Sequence, residues 1–215
     1  PYILLIQAGT CVAPIFFTLI WRVNEAVNAG LMGAMVAIVS LLGLTTPIQE
    51  VSNDEYAKMK EMIVAMPVHP VSYAVGIALA PLITSAPALF VFIAVAAWLG
   101  LVSFFTIGWL LAILVLCWSC MSMMSFVISS YLVKFPPFIV SGISRLLSLG
   151  MVFLPPVYYP DTMLGSLSWI SYFIPTSNAA CLIRTHLGFS AVSNESLIIR
   201  WLILMGTTVA FVLLS

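Results

Sequence analysis

Cys117 and Cys120 enclose a Trp-Ser pair, the two-residue gap used by redox dithiols and by half of a metal site. Either chemistry needs a charged or histidine neighbour to stabilise the thiolate or complete the ligand set. Both thiols instead fall inside an apolar run without such neighbours, so they read as packing residues. Cys11 and Cys181 also lie in or beside apolar segments, and the four cysteines form no disulfide framework. His69 and His186 fall in connections, which disfavours paired haem ligation within a membrane. The chain has no His-Glu-x-x-His helix and no Gly-x-Ser-x-Gly elbow, so an intramembrane protease is disfavoured. Without a glycine-rich loop ending in Lys-Ser or Lys-Thr, it does not bind nucleotide in the P-loop manner. No catalytic, cofactor or metal residue is expected on this chain. Asn194-Glu195-Ser196 matches a glycosylation acceptor, a pattern common by chance.

Two rows of hydroxyls remain. Ser122, Ser125 and Ser129 recur at i, i+3, i+7, as do Ser141, Ser144 and Ser148, with Arg145 on the face of the second row. A charge in a span must snorkel, pair or face a wet cavity. Either the serines allow close helix packing while Arg145 snorkels to the cytoplasmic interface, or these faces line part of a translocation path. Every acid (Glu25, Glu50, Asp54, Glu55, Glu61, Asp161 and Glu195) falls in an expected connection, so none marks intramembrane ion coupling. Any driving energy then comes from another subunit.

The elements that position these residues follow from composition. The chain is 63% hydrophobic and 7% charged, whereas soluble domains carry about 25% charge. With a mean hydropathy of +1.19 it reads as an all-α polytopic membrane protein, one transmembrane domain over residues 1–215. Zero net charge leaves no footprint for nucleic acid. Six spans are expected, at about 3–21, 30–46, 71–98, 105–133, 138–154 and 197–215. The second is rich in small residues four apart, Pro81 and Pro87 should kink the third, and residues 100–103 should turn the chain. Residues 155–196, punctuated by prolines and aromatics, read as neither soluble nor spanning, with a short interfacial helix over 164–173. Pro1 is no initiator and the C-terminus falls in an apolar run, so further sequence is expected at both ends.

Residues 50–70, EVSNDEYAKMKEMIVAMPVHP, form the one long polar island. Residues 50–61 hold six of the fourteen charged side chains. Ser52 and Glu55 have capping-box spacing, which predicts a helix over about 52–66, stopped by Pro67. Tyr56, Met59, Met62, Ile63 and Met66 share one face, with Asp54, Lys58 and Glu61 opposite. Such a helix is either a solvated loop helix or one that rests on the membrane surface, docks a partner, or does both. Basic residues split four to three in favour of the side carrying this helix, which leans toward a cytoplasmic placement.

This layout resembles the membrane-spanning (permease) subunit of type-2 ATP-binding-cassette (ABC) exporters. The resemblance rests on Glu55-Tyr-Ala-Lys-Met-Lys-Glu-Met-Ile-Val-Ala-Met-Pro67 with Tyr73-Ala-Val-Gly76, then Pro156-Val-Tyr-Tyr-Pro160, Leu167-Ser-Trp-Ile-Ser-Tyr-Phe-Ile-Pro175 and Arg184, about a third of the chain. Where the family often has Glu-Arg and a Gly-Thr-like turn, this chain has Asp54-Glu55-Tyr56-Ala57. The resemblance implies a cytoplasmic coupling helix and, after span five, a re-entrant segment in the outer leaflet. The coupling interface to an ATPase subunit would then be Asp54, Glu55, Tyr56, Lys58, Met59, Glu61, Met62, Ile63, Met66 and Pro67. It further implies ATP and Mg on that partner, a second permease copy, a multi-pass place in the plasma membrane, and a lipid-like, drug-like or amphiphilic cargo. The competing readings are an ATP-independent secondary transporter or channel, and a non-transporting scaffold.

Overall fold

A chain this apolar has no water to satisfy its backbone, so each segment must bond its own amides and carbonyls, and helices result. The computed structural model describes residues 24–57, 69–159, 165, 168–189 and 192–214. Among the described residues the regular elements are all helices: α1 (Asn24–Tyr56), α2 (Pro70–Trp98), α3 (Phe104–Leu132), α4 (Pro137–Phe153), α5 (Ile170–Phe173), α6 (Pro175–His186) and α7 (Asn194–Leu214). By length and composition α1, α2, α3 and α7 can each cross a bilayer, while α4, with 17 residues, is a shorter apolar helix. The protein is therefore a helical membrane protein. The first expected span, 3–21, lies outside the described residues.

Local chemistry sets the boundaries. Helices α2, α4 and α6 all begin on proline, whose missing N–H would have no partner in a first turn anyway. The ring of His69 caps α2, its Nδ1 accepting from the Val71 amide at 3.3 Å. Thr106 accepts from the Ser103 amide at 2.8 Å and so opens α3. The reversal between α2 and α3 turns on Gly100, at φ +70°, where a side chain would be strained.

Helix α1 forms the axis of the bundle. Residues 32–40 are buried on every face, and α2, α3, α4 and α6 all pack against it. Met32, Met35, Ile38, Leu44 and Ile48 of α1 meet Leu110, Ile113 and Met121 of α3 in one core. Helix α7 lies outside, on α3 and α6, with Leu202, Met205, Val209 and Leu213 exposed.

Two expectations about α1 are corrected. The span expected to close at 46 runs on through Pro47 to Tyr56. Proline is tolerated there because neighbouring helices enclose this part of the rod, with Pro47 and Ile48 buried. Ser52 therefore caps no new helix. It lies inside α1, 5% exposed, and its hydroxyl has no hydrogen-bond partner among the described residues. Residues 52–56 of the expected coupling helix belong to this rod, and residues 58–67 lie outside the described residues. The third, fourth, fifth and sixth expected spans match α2, α3, α4 and α7 to within a few residues. Of the interfacial helix expected over 164–173, residues 170–173 form α5, while 164, 166 and 167 lie outside the described residues; the buried helix α6 follows α5.

One backbone contact fixes the far end of α1. A Cβ built on Gly33 would meet the Val157 carbonyl oxygen at 2.6 Å and Tyr158 Cδ1 at 3.0 Å. The Gly33→Ala variant is expected to lose about 1–3 kcal/mol through overpacking. Gly150→Ala, where nothing lies within 4 Å, serves as the helix control and should hold or gain stability. Thermal unfolding of the detergent-solubilised variants checks the difference, and equal melting would refute the contact.

Candidate functional site

Polar side chains gather at both ends of α1. Gly33 and Asp54 stand apart by roughly 30 Å of helix, about the hydrocarbon thickness of a bilayer.

At the Asp54 end, three acids (Glu50, Asp54 and Glu55) crowd the last two turns of α1, and its last turn holds no basic residue. Carboxylates there oppose the helix dipole. The hydroxyl of Tyr73, in the first turn of α2, donates to Asp54 Oδ2. Five residues back along α1, Gln49 donates to the hydroxyls of Ser141 and Ser144 on α4, at 3.3 and 3.2 Å. The start of α2 and the first half of α4 are thus both tied to the same stretch of α1.

At the Gly33 end, the chain reverses over 154–159, where non-helical carbonyls need donors. Arg184 of α6 supplies them. It donates to the carbonyls of Tyr159 at 3.0 Å, Pro156 at 3.2 Å and Val157, and is itself buried. Arg200 of α7 is buried as well. It donates to Asn178 Oδ1 at 3.1 Å and Ser171 Oγ at 3.3 Å, and its guanidinium lies 4.3 Å from the centre of the Tyr172 ring. Asn178 in turn donates to the Tyr172 carbonyl at 2.6 Å, and Thr176 to that of Met151 at 2.5 Å. The rings of Trp109, His186 and Trp201 meet beside them at 5.0–6.1 Å. His186 Nδ1 lies 2.9 Å from the Leu182 carbonyl, which only accepts, so this nitrogen carries a proton.

Of the expected coupling residues, Asp54 is half-buried in its bond to Tyr73, and Glu55 and Tyr56 are exposed. Lys58, Met59, Glu61, Met62, Ile63, Met66 and Pro67 lie outside the described residues.

Helix α1 packs against both α3 and α4, and it meets the first serine row at Ser122 and the second at Ser141 and Ser144. Ser122 lies beside Gly43, Ser125 donates to the Ser122 carbonyl at 2.5 Å, and Ser129 to that of Phe126 at 2.8 Å. Ser144 donates to the Ser141 carbonyl at 3.1 Å, and Ser148 to that of Arg145 at 3.0 Å. Arg145 itself is exposed. Cys117 and Cys120 are buried free thiols beside Ser40 and Thr207.

Sequence reasoning passed over Gln49, placed Tyr73 only within the family resemblance, and gave Arg200 no role. A signal was present for the arginine: a permanent cation within an apolar run must find acceptors nearby.

Searches of protein-family models, of curated proteins and of solved structures find no match to this chain.

Removing the guanidinium while keeping its bulk isolates its part. The Arg184→Met variant leaves carbonyls of 156–159 without their donor and should lose at least about 2 kcal/mol, with Arg184→Lys intermediate because it lacks the planar fork. Thermal unfolding in detergent measures both, and a methionine variant as stable as the parent would show that the reversal holds without Arg184.

Proposed function

We propose that this chain is the membrane subunit of an ATP-driven exporter of the type-2 ATP-binding-cassette kind. The observation that carries the reading is the separation of two polar assemblies along α1. A charged connection between α1 and α2 stands at one end, and a reversal held by arginine stands about a bilayer's thickness away at the other.

In this reading the 3–21 segment, α1, α2, α3, α4 and α7 are the six crossings. The charged connection is the coupling segment, and it faces the cytoplasm. It seats in a cleft of a separate ATPase subunit, which carries the ATP and Mg. The methionine-rich face suits that seat because flexible, polarizable side chains repack as the partner moves. The segment of about 155–196, in which α5 and α6 pack among α1, α3 and α7, is the re-entrant segment in the outer leaflet. A second permease copy completes the path, and the exposed face of α4 with Arg145 borders it. The acids cluster at helix ends and in connections, which favours an uncharged or amphiphilic, lipid-like cargo over a cation. The plasma membrane is the site of action.

The test is a pull-down with the intact membrane protein, followed by ATPase assay with and without a fluorescent phospholipid. An ATPase that co-purifies and is stimulated by the lipid is the expected result. Replacing Met62 and Ile63 together by aspartate should cut the recovered ATPase at least about tenfold, since a docking face loses about 1.4 kcal/mol for each factor of ten. Transport by the purified chain alone, driven by an ion gradient, would refute the reading.

A further inference from the structure

Helix ends that flank a thirteen-residue connection normally move independently, because loop closure of this length restrains them only weakly. Here they do not stand free. Asp54 sits in the last turn of α1 and Tyr73 in the first turn of α2, and the phenol donates to the carboxylate across the base of the connection. Both partners are half-buried.

Each side of this bond is fixed by its own helix. The Ala57 amide bonds the Asn53 carbonyl at 2.9 Å and so extends α1 one residue beyond Tyr56. His69 and Pro70 set the start of α2, and the Ser72 amide bonds the His69 carbonyl at 2.9 Å. The acid breaks a local rule, since a carboxylate is disfavoured at a helix C-terminus and no basic residue in that turn offsets it. A feature that opposes local preference and, among the described residues, is satisfied across helices marks a position held for a role beyond local stability.

The geometry points to Tyr73 as a positioning residue: with Asp54 it forms a bracket that makes α1 and α2 move together when the connection between them is displaced. This deepens the exporter reading and rests on it for the source of the displacement. Force on the connection reaches both helices only while the bracket is closed. Opened, α1 and α2 answer the push separately and it is lost before it enters the bundle. The bond joins a phenol to a charged acceptor, so its loss should raise the ratio of open to closed brackets about tenfold.

Two measurements on the full chain separate this proposal from the reading beneath it. Nitroxide labels at Ala57→Cys and Ser72→Cys, both exposed positions, in a chain otherwise free of cysteine, report the separation of the two ends without any partner. A narrow distance distribution is expected for the parent and for Asp54→Asn, which keeps an acceptor. Broadening is expected for Tyr73→Phe and for Asp54→Ala, with the double variant no broader than either single one. A Tyr73→Phe distribution as narrow as the parent's overturns the bracket, whatever the chain does in the cell. In the complex with its ATPase, Tyr73→Phe should export several-fold less fluorescent phospholipid per ATP hydrolysed. An unchanged ratio despite broadened distances overturns the transmission role. If the parent chain recruits no ATPase, the exporter reading falls and the transmission role with it, while the label distances alone still decide whether the bracket exists.

Discussion

A carbonyl that leaves helical geometry inside an apolar bundle has no water to turn to, and this requirement governs the far half of the structure. The chain must reverse after α4, and over 154–159 its backbone can no longer satisfy itself. Arg184 answers with a planar fork of donors, bonding the carbonyls of Pro156, Val157 and Tyr159. That solution has consequences for its neighbours. It draws α6 into the bundle, where all of its first ten residues are buried, and it presses the Val157 carbonyl so close to α1 that only glycine fits at position 33. A positive charge spread over a guanidinium is easier to hold there than an ammonium, being more weakly hydrated and matched in shape to several acceptors. Arg200 applies the same chemistry one layer further out, with an amide, a hydroxyl and an aromatic face as its partners.

The two ends of α1 differ in kind. The Gly33 end is dense, with backbone, guanidinium and small side chains meeting at close range. The Asp54 end depends on single bonds, Tyr73 to Asp54 and Gln49 to the hydroxyls of α4. Opening one of the latter takes far less than dismantling the former, because each net hydrogen bond is worth about 1 kcal/mol while the other end involves several buried groups at once. A bundle built this way has a fixed end and an adjustable end, and the charged connection joins the adjustable one.

Much of this architecture was legible in the sequence, and the reasons are particular. The crossings α2, α3 and α7 announce themselves by hydropathy, and their ends by Pro70, Gly100 and the prolines at 136–137. The break expected before Ser52 misled because a capping pattern is a local signal. Burial of Pro47 and Ile48 among neighbouring helices, which no window of sequence displays, kept the rod continuous. The serine rows were found by their spacing, but that α1 meets both depended on its packing against α3 and α4. Tyr73 and Gln49 carried no signal of these bonds, since one tyrosine or one glutamine near a span end is unremarkable until its partner on another helix is known. The arginines were visible as residues but not as staples, because their acceptors are backbone carbonyls and any sequence supplies those.

The brevity of α4 bears on the surrounding lipid. Seventeen residues rise about 26 Å, some 4 Å less than a typical hydrocarbon core, so if α4 crosses, as the exporter reading has it, thinning of the bilayer along its flank is one way to match it. Arg145 stands midway along that helix and faces outward. Headgroups and water drawn toward it by such thinning shorten its route to a polar medium and lower the penalty of a charge at that depth. On the exporter reading, in which α4 is a crossing, the flank of α4 would be a place where the two leaflets come close to each other.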